Sequence, residues 1–209
     1  MRRVIRVSLK AAAQKNLDHR QIAADRKRKA GKLQVTEEWK SARQTSALKS
    51  VLDTLRSMMG KHERCMYCLD SHGTDIEHFW PKAPYPERMF FWPNLLLCCT
   101  ECGRLKGDRF PVKDNQPLLI DPTTEEPWLH LDFDPDTGNI VARFDAKTKV
   151  LSSKEVQTVG ILNLDRREAL AAGYCRTFRR LSALVVQYLQ KGKTEAASLM
   201  YSLREADDH

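Results

Sequence analysis

Between residues 65 and 108 the chain concentrates the side chains that hold metals and move protons. Cys65 and Cys68 form a Cys-x-x-Cys pair in CMYC, and Cys99 and Cys102 form a second in CTEC. Each pair presents two thiolates from one tight turn. Together they complete a tetrahedral set of four sulfurs, which suits a closed structural zinc site. A redox-active pair is the alternative reading of such spacing. Cys98 competes with Cys99, but only Cys99 has two residues between itself and Cys102. Cys175 reads as an ordinary buried thiol on a helix.

The stretch between the two pairs is too long for a simple ribbon, and it carries Asp75, Glu77, His78 and Asn94. Hydrolysing a phosphodiester needs a base for water, a cation for the phosphate charge, and something that orients the base. An imidazole titrates near neutral pH. A hard carboxylate oxygen suits Mg2+ or Mn2+. An Asn amide can lock local geometry. Glu77-His78 and Asn94 supply these types, although a Glu-His dipeptide by itself is commonly a solvated surface pair. Trp80 and Trp92 flank the motif and read as base-stacking or core residues, the latter preferred. His72 reads as exposed, and His62 as a candidate ligand of either metal.

The elements that must position these groups are legible in outline. The chain has 209 residues, 42% hydrophobic and 30% charged, with a formal net charge of +8. That suits one elaborated domain. Residues 1–50 hold 14 Lys+Arg against 4 Asp+Glu, so the basic excess is N-terminal. It reads as a phosphate-binding arm or as a solvated helix face. Residues 1–35 are expected to be weakly structured or partly helical. Thr36 is expected to cap a helix carrying the stripe Trp39, Ala42, Val51, Leu52, Leu55, Met58 and Met59, ended by Gly60. Residues 117–145 read as extended, with a hairpin turn at Asp136, Thr137 and Gly138. Leu170, Tyr174, Phe178, Leu181, Val185 and Leu189 have helical spacing and are expected in the core. Lys191 to Lys193 should break that helix before a short final one capped at Thr194-Glu195. No apolar run reaches membrane-spanning length, and the N-terminal segment lacks a secretory apolar stretch. The expected compartment is the cytoplasm.

Residues 65–111 resemble an HNH endonuclease: a Cys-x-x-Cys, an acid-His pair followed by Pro, an Asn-Leu, a second Cys-x-x-Cys, then a Lys. CMYC, IEHFWPK, WPNLLLCCTEC, KGDRFP, LLIDP, HLDF and ILNLDRREAL are similar to the HNH nucleases of prokaryotic anti-phage systems, of the PtuB/Septu and retron-associated type. The resemblance covers roughly residues 40–165. It implies a ββα-metal core, with His78 as general base, Glu77 as acidic ligand of a catalytic Mg2+ or Mn2+, and Asn94 orienting the base. It also implies DNA as substrate and an ATPase as a defence partner. Lys106, and with it Lys82 and Arg104, would meet phosphate. The family places His or Asn after the second Cys-x-x-Cys as a further metal ligand, whereas here the residue is Gly103. Asp108, or Asp75 through its strand parity with Glu77, would substitute. Asp121 and His130 recur in the resemblance and read as structural.

The expected fold is therefore α+β. A basic helical extension (1–60) precedes an HNH core with zinc knuckles and a β-hairpin (61–150), and a helical region follows (151–209). Two other classes compete with the nuclease. One is a non-catalytic zinc module that binds nucleic acid, and the other is a subunit whose helical ends dock a partner.

Overall fold

A computed structural model describes residues 1–145, 150–191 and 201. Its first ten residues are not a loose arm. Met1 and Val4 are buried, and the Val4 N–H bonds the Pro122 carbonyl at 2.8 Å. Arg6 donates to the carbonyls of Trp92, Pro93 and Leu95, each at 3.0 Å. Its guanidinium also lies 4.8 Å over the Trp92 ring.

Helix α1 (Ala11–Lys29) follows, built from Ala, Gln, Lys and Arg, all good helix formers. It buries Ala13, Leu17 and Ala24 on one face. Its cationic last turn suits the helix C-terminus. Lys27 pairs with Glu38 and Arg28 with Glu87. The segment expected to be weakly structured or partly helical over 1–35 is mostly a packed helix. Its inward face is made of alanines and one leucine, too small to stand out among the charges.

The stripe expected as one helix from Thr36 is divided in two. Helix α2 (Val35–Arg43) begins one residue before Thr36, capped at Gln34, and buries Trp39 and Ala42. Helix α3 (Ser46–Ser57) starts afresh because Thr45 accepts a hydrogen bond from the Leu48 N–H. It buries Leu48, Val51 and Leu55. Gly60 then takes φ +75°, a left-handed turn that suits glycine.

The segment that carries the chemistry is a two-stranded antiparallel sheet followed by a helix. Strand β1 (Asp75–His78) pairs with β2 (Leu95–Cys98), with Asp75 opposite Cys98, Glu77 opposite Leu96 and His78 opposite Leu95. All four β2 residues are buried. Helix α4 (Thr100–Lys106) follows after one residue, capped by Cys99. Strand period 2 sends Glu77 and His78 to opposite faces.

Three shorter pairs of strands and two helices complete the described part of the chain. Strands β3 (Val112–Lys113) and β4 (Gln116–Pro117) turn at Asp114 and Asn115, both with positive φ. Strands β5 (Leu131–Phe133) and β6 (Ile140–Ala142) form the expected hairpin. Asp134 accepts from the N–H groups of Asp136 and Thr137 in its turn, and Gly138 has φ +79°. Strands β7 (Phe144–Asp145) and β8 (Val150–Leu151) pair beyond it.

Helix α5 (Ser153–Leu162) opens with a capping box between Ser152 and Glu155. Helix α6 (Glu168–Lys191) buries Leu170, but Phe178, Val185 and Leu189 are exposed, Leu189 by 76%. The expected core stripe therefore packs only at its N-terminal end, among the described residues. The short final helix expected after Lys193 lies outside the described residues.

Candidate functional site

The four cysteines converge. The sulfurs of Cys65, Cys68, Cys99 and Cys102 all lie within 4.8 Å of one another, and all four residues are buried. The first pair sits in a tight turn where the Cys65 N–H bonds the Ser71 carbonyl and the Leu69 N–H bonds the Cys65 carbonyl, each at 2.9 Å. The second pair spans the first turn of α4, where the Cys99 sulfur accepts the Cys102 N–H at 3.4 Å. Four soft, buried donors at this separation can hold one metal ion such as zinc. Cys98 is outside the set, with its thiol on the Cys99 carbonyl at 3.3 Å. Cys175 and His62 are outside it as well.

Two residues of α6 and its approach brace this cluster. Arg167 donates to the Cys102 sulfur at 3.2 Å, and the Tyr174 hydroxyl donates to the Cys68 carbonyl. A cation on a ligating sulfur is the kind of outer partner that tunes a metal site. Sequence alone gives Arg167 no role and Tyr174 only a place in the core stripe. Arg167 lies inside the quoted ILNLDRREAL motif, about sixty residues from the sulfur it touches, so only the fold joins them.

His78 is 3% exposed. Its Nε2 bonds the Met89 carbonyl at 3.0 Å. That bond assigns the proton to Nε2 and leaves the Nδ1 lone pair as the basic one. The Trp39 ring stands edge-on against the imidazole with centroids 4.3 Å apart. Burial lowers the His78 pKa from 6.5 to about 3, with Lys82 adding a smaller push and the Met89 bond opposing it. The imidazole is therefore neutral at physiological pH, as a general base must be.

The Asn94 side chain makes its hydrogen bonds to the backbone rather than to His78. Its Oδ1 accepts the Trp80 N–H at 2.7 Å, and its Nδ2 donates to the carbonyls of Trp80 and Arg88 at 3.0 and 2.9 Å. It thereby clamps both ends of the loop that carries Met89. Helix α1 holds the same loop from outside. Gln21 accepts the Phe90 N–H at 2.8 Å and donates to the Pro86 carbonyl at 3.0 Å. Gln21 was not foreseen, because a glutamine in a polar helix carries no local signal.

Glu77 faces α4. Its Oε1 lies 3.0 Å from the Lys106 ammonium, and the Lys106 side chain is fully buried. The ammonium also donates to the His78 carbonyl at 2.6 Å and to the Gly107 carbonyl at 3.4 Å. Burial raises the Glu77 pKa, and Lys106 opposes that rise. A Cβ at Gly103 would stand 3.5 Å from Glu77 Oε2 and 3.9 Å from the Cys98 sulfur. Position 103 thus does face Glu77, without a side chain to offer.

The other sequence candidates scatter. Asp75 pairs with Arg43 at 3.0 Å, and Asp108 is exposed in the turn after α4. Neither joins Glu77 in a converging ligand group among the described residues, where the four cysteines form the one such group. Lys106 is turned inward rather than towards solvent. Lys82 is half-buried, and exposed Arg104 pairs with Glu101 at 2.9 Å.

The aromatic and remaining polar candidates are absorbed by packing. Trp80 packs against Tyr85 and Phe110 under Arg88. Trp92 donates its indole N–H to the Val7 carbonyl at 3.1 Å. Asp121 accepts two bonds from Thr123, each 2.8 Å. His130 stands between Glu125 and Glu155. His72 is exposed beside Glu63.

A sulfur-braced strand pair and helix, with an acid and a buried histidine on β1, is the arrangement to set against known proteins. The chain is similar to the Septu protein PtuB of Bacillus thuringiensis. The two are 31% identical over 114 residues, which is 52% of this chain and 39% of PtuB. The match therefore spans well under half of PtuB's length. No protein-family model matches the chain. Among the described residues no helix is long and apolar enough to cross a membrane.

Proposed function

We propose that this chain is an HNH-type endonuclease that hydrolyses phosphodiester bonds of DNA in an anti-phage defence system of the Septu kind. The observation that carries the reading is the arrangement around His78. Its Nε2–H is held by the Met89 carbonyl, on a loop clamped by Asn94, beside a strand-strand-helix unit tied by four cysteines. The 31% identity to PtuB supports the defence setting. We further propose an ATPase partner, from the same resemblance, and a cytoplasmic location.

In this reading water attacks phosphorus while Nδ1 of His78 takes its proton, and the bond from phosphorus to the 3′ oxygen breaks, the 3′ oxygen taking a proton from solvent. Met89 and Asn94 keep the imidazole in the tautomer that leaves Nδ1 free. Lys82 and Arg104 are the cations available to the phosphate. The four cysteines hold structural zinc. The resemblance also implies a catalytic Mg2+ or Mn2+ at Glu77. The residues around Glu77 do not fit a resident ion: one carboxylate, a glycine at 103 and a buried ammonium on the carboxylate itself.

A second reading has its own support. His78 is sealed beneath Trp39, as it would be in a non-catalytic zinc module that binds nucleic acid or docks a partner. Incubating the full chain with supercoiled plasmid in Mg2+ or Mn2+ separates the two. Nicked or linear product is expected of the nuclease. Binding without any product, in the presence and absence of a co-expressed ATPase from the same locus, would favour the second reading.

A further inference from the structure

We infer that the Lys106 ammonium is the resident cation of the Glu77 site, occupying the place that the resemblance gives to a divalent metal and holding that metal's affinity down. The inference rests on the proposed reading only in taking Glu77 as the metal-facing carboxylate.

The geometry around Lys106 is that of a cation cage. Its Nζ meets a carboxylate oxygen of Glu77 at 3.0 Å, the His78 carbonyl at 2.6 Å and the Gly107 carbonyl at 3.4 Å. One carboxylate and two backbone carbonyls are the hard oxygen donors that a small divalent ion would also choose. An ammonium offers three donors in fixed directions, and here each finds one oxygen. The side chain is wholly buried, so Lys106 cannot reach a phosphate on the surface without leaving this cage.

The rest of the site agrees. A metal bound there would need further anionic ligands. Gly103 faces Glu77 but has no side chain. Asp75 is engaged with Arg43, and no other group of three or more acidic, His or Cys side chains converges among the described residues. A divalent ion at Glu77 would sit against the Lys106 charge unless Lys106 withdrew. The site has one negative side chain and already holds one positive charge.

The consequence is a competition. Mg2+ or Mn2+ reaches Glu77 only by displacing Lys106, and a phosphate entering with the ion would supply the missing ligands. Removing the ammonium should uncover the metal site. Placing Asn at 103 should strengthen it, because a Cβ there fits at ordinary contact distances.

The test reads metal binding, so it is separate from whether the chain cleaves DNA. Mn2+ is titrated into the zinc-loaded full chain and followed by electron paramagnetic resonance, for wild type, Lys106→Gln, Lys106→Arg and Lys106→Gln/Gly103→Asn. Zinc content and circular dichroism check the fold. Lys106→Gln should bind Mn2+ at least about tenfold more tightly than wild type. The double variant should bind more tightly still, and Lys106→Arg should stay weak. Equal affinity in wild type and Lys106→Gln would overturn the inference.

Should Lys106→Gln fail to fold, the wild-type chain still decides. The Lys106 ammonium should give a slowly exchanging 15N signal that low-millimolar Mg2+ leaves in place. Its release by micromolar Mg2+ would overturn the inference, whether or not the chain is a nuclease.

Discussion

The Trp39 ring meets the His78 imidazole edge-on, with centroids 4.3 Å apart and planes at 68°. Helix α2 thus seals from outside the one histidine that the Met89 carbonyl orients from within. Arg43 at the end of α2 pairs with Asp75 at the start of β1 at 3.0 Å, an exposed link between the seal and the strand.

That burial makes His78 a determinant of acid stability. Its pKa falls from 6.5 to about 3 in the folded chain, chiefly through loss of solvent. Between those pH values the unfolded state binds the extra proton. The stabilisation is therefore complete above the unfolded pKa and is lost as pH falls from 6.5 towards 3. The slope is at most about 1.4 kcal/mol per pH unit. Denaturant melts across this range should show it in wild type and not in His78→Gln. Parallel slopes would mean that the ring protonates freely in the folded state. Metal loss from the cysteines at low pH affects both chains and cancels in the difference.

Buried Lys106 and partly buried Glu77 should be strongly coupled. Lys106→Met leaves a partly buried carboxylate without its cation, and should destabilise the chain by up to about 3–5 kcal/mol. The double variant Lys106→Met/Glu77→Leu should recover much of that loss. Double-mutant cycles from urea unfolding measure the coupling. Simple additivity of the two single effects would show that the pair contributes little.

Each of Cys65, Cys68, Cys99 and Cys102 should be needed for one bound zinc, while Cys98→Ser should keep it. Elemental analysis of purified variants gives the count. Chelating the metal should unfold the core, since binding and folding share one free energy. Full zinc occupancy in Cys99→Ser, or its loss in Cys98→Ser, would reassign the ligand set.

Gln21 should matter through the loop it holds. Gln21→Ala strips the Phe90 N–H and the Pro86 carbonyl of their partners, at about 1–3 kcal/mol for groups left unsatisfied. It should lower any His78-dependent cleavage while leaving the salt dependence of nucleic-acid binding unchanged. A flatter salt slope with unchanged turnover would instead make α1 a phosphate-contacting helix.

The legible and illegible parts of this chain divide by range. The cysteine set could be read from spacing alone, because a two-residue gap dictates a turn that aims both sulfurs at one point. Asp75 and Glu77 could be placed on one strand by parity, and the hairpin by its Asp-Thr-Gly turn. Lys106 could not. At the end of α4 it read as a cation for phosphate, whereas its ammonium is turned inward onto Glu77 of β1. The α1 face was hidden because Ala13 and Ala24 are weakly apolar. The division at Thr45 was written in a capping residue that the longer stripe obscured. The exposed end of α6 carries the same apolar period as its buried start, so period could not tell the two apart.

The central claim is that His78 serves phosphodiester cleavage. Its most direct measurement is conversion of supercoiled plasmid by the full-length chain and by His78→Ala, both with matched zinc content and circular dichroism. The account predicts cleavage by wild type and a rate lower by roughly 10²–10⁴ in the variant, the usual loss of a general base, with DNA binding retained. Cleavage by His78→Ala at the wild-type rate would contradict it.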